Sequence, residues 1–195
     1  MTPSDFLEQW IDDIPKGRAL DIGAGNGDVS IWLTQKGFQV DAIENNPDAC
    51  SQLEGRSKGL DVTLHSMDVR DYAFPEGEYS FVYAGAILHF LKPTDLWVVV
   101  DRIVASLVPG GFFAAQVFTT DDPGYEELRN TEAEEIEPNT FISPVLEESI
   151  HYFMPGELAR TFSALNIQAY EESRIVDPAD PVGFRSGASI VARKG

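Results

Sequence analysis

Residues 19–27 read Ala19-Leu20-Asp21-Ile22-Gly23-Ala24-Gly25-Asn26-Gly27, a short apolar run that ends in three closely spaced glycines. The run from Arg18 to Ile22 predicts a first strand. The glycines predict a turn that lets the backbone approach a ligand and aims the N–H groups of the following helix at it. That helix runs to about Lys36, with Val29, Ile31, Trp32 and Leu33 on its apolar side, and Gly37 stops it.

Working outward, the pattern repeats. Phe38 to Ile43 is a second strand ending at Glu44, and Pro47 opens a second helix where its missing N–H costs nothing. Asp61 to Ser66 and Tyr79 to Ala84 alternate like third and fourth strands. From Pro93, Leu96, Val100, Ile103, Val104 and Leu107 form one helical stripe, and Pro109-Gly110-Gly111 turns the chain into a fifth strand, Phe112 to Phe118. Pro155 to Leu165 reads as a helix. Ile167 to Val176 and Ala188 to Arg193 read as strands of an antiparallel pair joined by a Pro/Gly-containing loop. The expected fold is α/β: a Rossmann-like, doubly wound, seven-stranded sheet, mostly parallel, with an antiparallel C-terminal hairpin, in one domain over residues 1–195.

Residues 119–150 break the rhythm. They hold ten acidic residues against one arginine, half of the chain's net charge of −18. Pro123, Pro138 and Pro144 interrupt them. The segment is expected to be either a solvated surface insertion or a lid, because long irregular stretches inside compact domains are often functional.

The charge balance speaks to partners. Fourteen basic residues against 32 acidic ones, with no basic cluster, argue against a nucleic-acid ligand and an anionic membrane surface. The start MTPSDFLEQW lacks a basic, apolar leader, and the apolar region 96–118 is broken by Asp101, Arg102 and the Pro-Gly-Gly turn, so a soluble, cytoplasmic protein is expected. Cys50, the single cysteine, excludes an internal disulfide and multi-cysteine zinc sites and reads as structural. His65, His89 and His151 are too far apart for a local zinc motif, and no metal is expected.

The glycine spacing discriminates between ligands. A dinucleotide fingerprint needs its third glycine at residue 28, which is Asp28; a carboxylate there opposes a pyrophosphate. Glu44, with Asn45 beside it, ends strand two where a carboxylate can accept from both hydroxyls of a ribose. Asp68 ends strand three on the same side of a parallel sheet, placed to accept from an adenine amino group while Val69 donates; a turn cap is its alternative role.

Leu-Asp-Ile-Gly-Ala-Gly-Asn-Gly, the late Glu44, the Asp68-Val69 pair and the Pro-Gly-Gly turn together resemble the class I S-adenosylmethionine-dependent methyltransferases over nearly the whole chain. The resemblance implies S-adenosylmethionine as cofactor, with S-adenosylhomocysteine as product. It implies that Asp21, Gly23, Ala24 and Gly25 meet the methionyl part, Glu44 the ribose, Asp68 and Val69 the adenine, and Ala84 and Gly85 the methionine moiety again. Ala86-Ile87-Leu88-His89-Phe90-Leu91, Phe118-Thr119-Thr120-Asp121-Asp122 and Ile190-Val191-Ala192-Arg193-Lys194 are similar to the tellurite-resistance-type members. The departure is at Asp28-Val29-Ser30, where that group commonly has Arg-Asn-Ser.

The implied activity is methyl transfer to a small-molecule acceptor. A binding module that senses the nucleoside without turnover and an NAD-dependent oxidoreductase are the alternatives. An in-line displacement needs an aligned, dry nucleophile, and aromatic faces can support a sulfonium, with Trp10, Tyr83 and Phe90 as candidates. Two histidines are candidate bases for a protonated acceptor: His89 after strand four, otherwise a packing residue, and His151 after the acidic segment, otherwise a solvated one.

Overall fold

The computed structural model describes residues 3–176 and 182–195. A short helix α1 (Pro3–Glu8) precedes the alternating units β1 (Arg18–Ile22), α2 (Asp28–Gln35), β2 (Gln39–Glu44), α3 (Pro47–Arg56), β3 (Val62–Ser66), β4 (Tyr79–Gly85), α4 (Pro93–Ser106) and β5 (Leu107–Phe118). The remaining elements are α5 (Pro123–Arg129), β6 (Glu135–Glu137), β7 (Thr140–Ile142), β8 (Ser149–His151), α6 (Glu157–Thr161), β9 (Asn166–Val176) and β10 (Phe184–Arg193).

Seven strands form one sheet in the order β3-β2-β1-β4-β5-β10-β9. The first five are parallel, and β10 runs antiparallel to both β5 and β9. This is the α/β sheet with an antiparallel C-terminal hairpin that the sequence pattern predicts. Alternation along β1 explains the two covering layers. Ala19 points to the layer of Leu7, Ile11, Val29 and Leu33, from α1, α2 and the loop between α1 and β1. Leu20 and Ile22 point to Leu96, Val100, Ile103 and Leu158 from α4 and α6. Parallel pairing in register, with Ile22 opposite Ile43, ends β1 and β2 at one edge, where ligand crevices of open α/β sheets form.

Three local expectations change. Pro109-Gly110-Gly111 does not end a connection before β5 but lies inside the strand as a bulge. Tyr79 pairs with Leu107 and Phe81 with Phe112, so the extra residues loop out, and Lys194 holds them through Gly110 N–H to Lys194 O (3.0 Å) and Lys194 N–H to Gly111 O (2.9 Å). The helix expected at 155–165 is the shorter α6, opened by Gly156 in the left-handed region. Strand β10 starts at Phe184, four residues before Ala188, because cross-strand pairing to Val176 extends it. Part of the expected loop, residues 177–181, lies outside the described residues.

The acidic segment is folded. It contains α5 and a three-stranded antiparallel sheet, β6-β7-β8, whose Phe141 and Ile150, with Tyr152 just after β8, pack with Tyr125 and Leu128 against Phe90 and Phe118. Asp122 anchors it: its fully buried carboxylate accepts from Gly124 N–H (2.9 Å), Arg185 Nε (2.9 Å) and Ser186 N–H (2.8 Å). Among the described residues no helix is long and apolar enough to cross a membrane.

Gly27 shows why the third glycine stands at 27. It caps α2 at φ +88°, and a Cβ there would overlap Leu53 Cδ1 of α3. Gly27→Ala is therefore expected to destabilise the protein by about 2–3 kcal/mol, from left-handed backbone strain plus overpacking. Urea unfolding of the two proteins checks this; equal midpoints would show that the loop is free to move away from α3.

Candidate active site

The site begins with the turn after β1. Gly23 and Ala24 N–H donate to Ile43 O (2.9 and 3.0 Å), which clips the turn to β2. Glu44 then completes the tie: its Oε2 accepts from Gly25 N–H (2.8 Å), and its Oε1 accepts from Asn45 N–H (2.9 Å) and Asn46 N–H (2.8 Å). Gly25 sits at φ +55° with nothing within 4 Å of where a Cβ would be, so its lack of a side chain opens space beside that carboxylate. Asp28, at the start of α2, is held by Arg56, which also donates to Asn26 O.

Asp21 lies beneath the turn, 2% exposed, and accepts from Ser30 Oγ at 2.6 Å. Burial pushes its carboxyl up to about 6, with the nearby Glu44 charge in the same direction and the Ser30 hydrogen bonds opposing. Asp68 forms a cap as well as a cleft wall. Its Oδ1 accepts from Arg70 N–H (2.8 Å) and Nε (2.8 Å), and its Oδ2 from Arg70 Nη2 (2.6 Å), which opens the single 3₁₀ turn Val69–Asp71. Hydrogen bonding to Arg70 holds the Asp68 carboxyl below the usual carboxylate range, against the effect of burial.

These residues surround a cavity of about 540 Å³ at the C-terminal edge of the sheet. Of the sequence-predicted site, Gly23, Glu44, Asn45, Asp68 and Val69 line it together. Asp21, Ala24 and Gly25 do not line it: Ala24 and Gly25 belong to the turn tied to Ile43 and Glu44, and Asp21 is bonded to Ser30. Ala84 is fully buried in the core, and Gly85 follows it without reaching the cavity wall; Ala86 and Ile87, one and two residues on, line it instead. Phe90 closes one side, and Ile142, Glu147 and Ser149 of the folded acidic segment close another, with Ser149 Oγ donating to Phe90 O (3.0 Å). Tyr83, a candidate aromatic, is buried in β4 with its hydroxyl on Gln116 Oε1 (3.3 Å).

A second cavity of about 610 Å³ adjoins the first at Ala86, which lines both. Ala86 is a non-glycine residue at φ +55°, held there by its N–H on Gln116 O (3.0 Å). Left-handed backbone of this kind costs of order 1 kcal/mol and concentrates at functional sites. Trp10 and His89 line this second space. His89 is 1% exposed, between the rings of Phe90 (4.5 Å) and Phe118 (4.3 Å), and neither ring nitrogen has a partner. Burial, reinforced by the charges of Arg185 and His151, pushes its imidazole down to about 3, which makes it a neutral hydrogen-bonding group and a weak base at pH 7.

His151 departs from both roles expected of it, since it is neither solvated nor cavity-lining. It is buried in β8, with Nδ1 on Thr140 Oγ1 (2.9 Å) and Nε2 on Glu157 Oε1 (3.0 Å), and so ties the acidic segment to α6. Cys50 is buried with its thiol on Glu44 O (3.3 Å). Among the described residues no group of three His, Cys, Asp or Glu side chains could hold a metal.

Residues 19–111 match a family model described as a methyltransferase domain. A curated relative, trans-aconitate 2-methyltransferase of Sinorhizobium fredii, is 31% identical over 138 residues, covering 67% of this chain and 49% of the relative. The chain spans about half the length of the curated relatives it matches. Among solved structures, an S-adenosylmethionine-dependent methyltransferase from Methanosarcina mazei superposes with a TM-score of 0.77 at 19% identity, over 100% of this chain and 98% of the other. TehB from Haemophilus influenzae gives 0.76 at 18% identity, over 100% of this chain and 63% of the other. At these identities the structural likeness establishes the shared fold.

The buried Asp21 charge has a consequence for stability. The unfolded carboxyl ionises near 3.8 and the folded one near 6, so the folded protein binds the extra proton between these values. Stability from this group is greatest below pH 3.8 and falls by about 3 kcal/mol as pH rises through 6. Asp21→Asn is expected to gain on the wild type by about that amount between pH 4 and pH 7.5, as measured by paired denaturant titrations. A constant difference across that range would mean that the carboxyl is not desolvated.

Proposed function

From a methyltransferase domain over residues 19–111, on a sheet with the fold of S-adenosylmethionine-dependent methyltransferases, we propose that this chain transfers the methyl group of S-adenosylmethionine to a small-molecule acceptor. The observation that carries the proposal is the first cavity, where the glycine turn, the Glu44 carboxylate and the Asp68-Val69 turn share one wall.

The cavity's residues fit the cofactor. Each carboxylate oxygen has two acceptor positions; backbone N–H groups fill both on Glu44 Oε1 and one on Oε2, so one on Oε2 remains for a ribose hydroxyl while the backbone partners are kept. The open space at Gly25 lies beside that carboxylate. Four carboxylates line the cavity (Glu44, Asp68, Glu147, Glu148) against two cations (Arg70, Lys92), which favours a ligand of net charge +1 and opposes a dinucleotide's pyrophosphate.

When bound, S-adenosylmethionine supplies a methyl carbon on a sulfonium; the acceptor's lone pair bonds to it as the carbon–sulfur bond breaks and its electron pair stays on sulfur. The chain's own work is to hold, align and dry the two partners. In this reading Asp68 and Val69 take the adenine, and Phe90 offers an aromatic wall; all three line the cavity. The folded acidic segment acts as a cap, since Ile142, Glu147 and Ser149 close the cavity and Asp122 anchors the cap's base on β10.

Calorimetric titration tests the proposal. Micromolar binding of S-adenosylhomocysteine with no binding of NAD⁺ is expected, and the reverse pattern overturns it. Glu44→Ala is expected to weaken binding by about 1–3 kcal/mol, roughly 5- to 150-fold, through loss of a charged acceptor; unchanged affinity would remove the ribose role. Tight binding without transfer to any acceptor would identify a sensor.

A further inference from the structure

The second cavity holds every buried side-chain polar atom that lacks a hydrogen-bond partner among the described residues. They are Trp10 Nε1, both ring nitrogens of His89, and Ser186 Oγ. All three residues line that cavity, and His89 and Ser186 are 1% and 3% exposed. A buried polar group left unpaired costs of order 1–3 kcal/mol, so orphans gathered on one wall mark a place where a ligand completes the bonding.

The chemistry of the wall selects that ligand. Phe6, Trp10, His89, Phe118 and Tyr170 contribute ring surfaces, which suit a flat molecule. The Trp10 indole donates only, so the ligand must bring a lone pair; neutral His89 and Ser186 can each donate or accept. Two arginines, Arg174 and Arg185, line the cavity against a single carboxylate, Glu171. Arg174 lies over Phe184 at 4.7 Å, and Arg185 lies over Phe118 at 4.1 Å while its Nε donates to Asp122. A cationic amine, itself only a donor, meets an indole donor and the Arg174 guanidinium here, and it is disfavoured on both counts.

We propose that this cavity is the acceptor site, and that it takes a planar aromatic or heteroaromatic molecule, uncharged or anionic, whose edge presents oxygen or nitrogen lone pairs. The proposal rests on the transferase function above and specifies its acceptor class. The two cavities meet at Ala86, so a ring seated against Trp10 and Ser186 faces the cofactor cavity across that residue. The weak basicity of His89 agrees with the assignment, because a ring nitrogen or an ionised ring oxygen attacks through a lone pair that is already free. No proton then has to be moved as the new bond forms.

Three probes that share a fused bicyclic aromatic frame test the charge rule: quinoline, 2-naphthoate and 2-naphthylmethylammonium, each titrated calorimetrically into protein saturated with S-adenosylhomocysteine. Quinoline or 2-naphthoate is expected to bind at least tenfold tighter than the ammonium. Trp10→Phe keeps a ring and removes the N–H, and Ser186→Ala removes the hydroxyl. Each is expected to weaken ring binding three- to tenfold, with S-adenosylhomocysteine affinity within twofold of wild type as the sign of an intact fold. Equal binding of the ammonium, or unchanged ring affinity in both variants, overturns the proposal. S-adenosylhomocysteine binding without ring binding sinks the acceptor class and leaves the transferase function standing. Ring binding to the unliganded protein without any S-adenosylhomocysteine binding does the opposite.

Discussion

One carboxylate ties the site together. Glu44 takes N–H groups from the turn after β1 and from the turn after β2, so two loops that parallel strands merely bring close become one rigid rim. Charge-assisted bonds of this kind are roughly twice as strong as neutral ones, and they act where the sheet's own ladder has ended. The tie requires β1 and β2 to stop at the same level, which the Ile22–Ile43 pairing ensures. Glycine at 25 eases the tie, since the backbone presents its N–H to the carboxylate at φ +55°, where a Cβ is strained although nothing lies within 4 Å of it. The rim of the first cavity is thus a consequence of register, a left-handed glycine and one acid.

Net charge and local charge tell different stories in this chain. The total of −18 describes how the protein meets large polyanions, and it says little about a small ligand inside the fold. The first cavity follows the average and is acidic, while the second carries two arginines and one carboxylate. Under the proposed function, such a division sets a cationic donor apart from an electron-rich acceptor. Asp122 makes it possible, because it holds Arg185 and the base of the acidic segment with one buried carboxylate.

The strand-by-strand pattern up to residue 118 was legible because period, glycine and proline all point the same way there. Five strands, three intervening helices and the rim residues Gly23, Glu44, Asp68 and Val69 follow from it. What escaped depends on tertiary contacts. Strands of three residues, β6 to β8, are too short to show a period, and they exist because Phe141, Ile150 and Tyr152 find Phe90 and Phe118 beneath them. The Pro109-Gly110-Gly111 bulge needs Lys194, some eighty residues away, to keep it in the sheet. Ala86 carries no local signal, since alanine rarely adopts positive φ and only the pull of Gln116 O reveals that it does.

The histidines show how environment rather than residue type assigns a role. His89 and His151 are both candidate bases in the sequence, one after a strand and one after the acidic segment. In the fold both are buried, yet His151 has a partner on each nitrogen and His89 has none. The first arrangement spends the ring's hydrogen-bonding capacity on joining β8 to α6. The second leaves that capacity at a cavity wall while desolvation removes the ring's basicity. A group so placed positions a ligand better than it takes a proton from one. Under the proposed function, alignment and exclusion of water carry the rate, as suits a reaction whose leaving group is already activated.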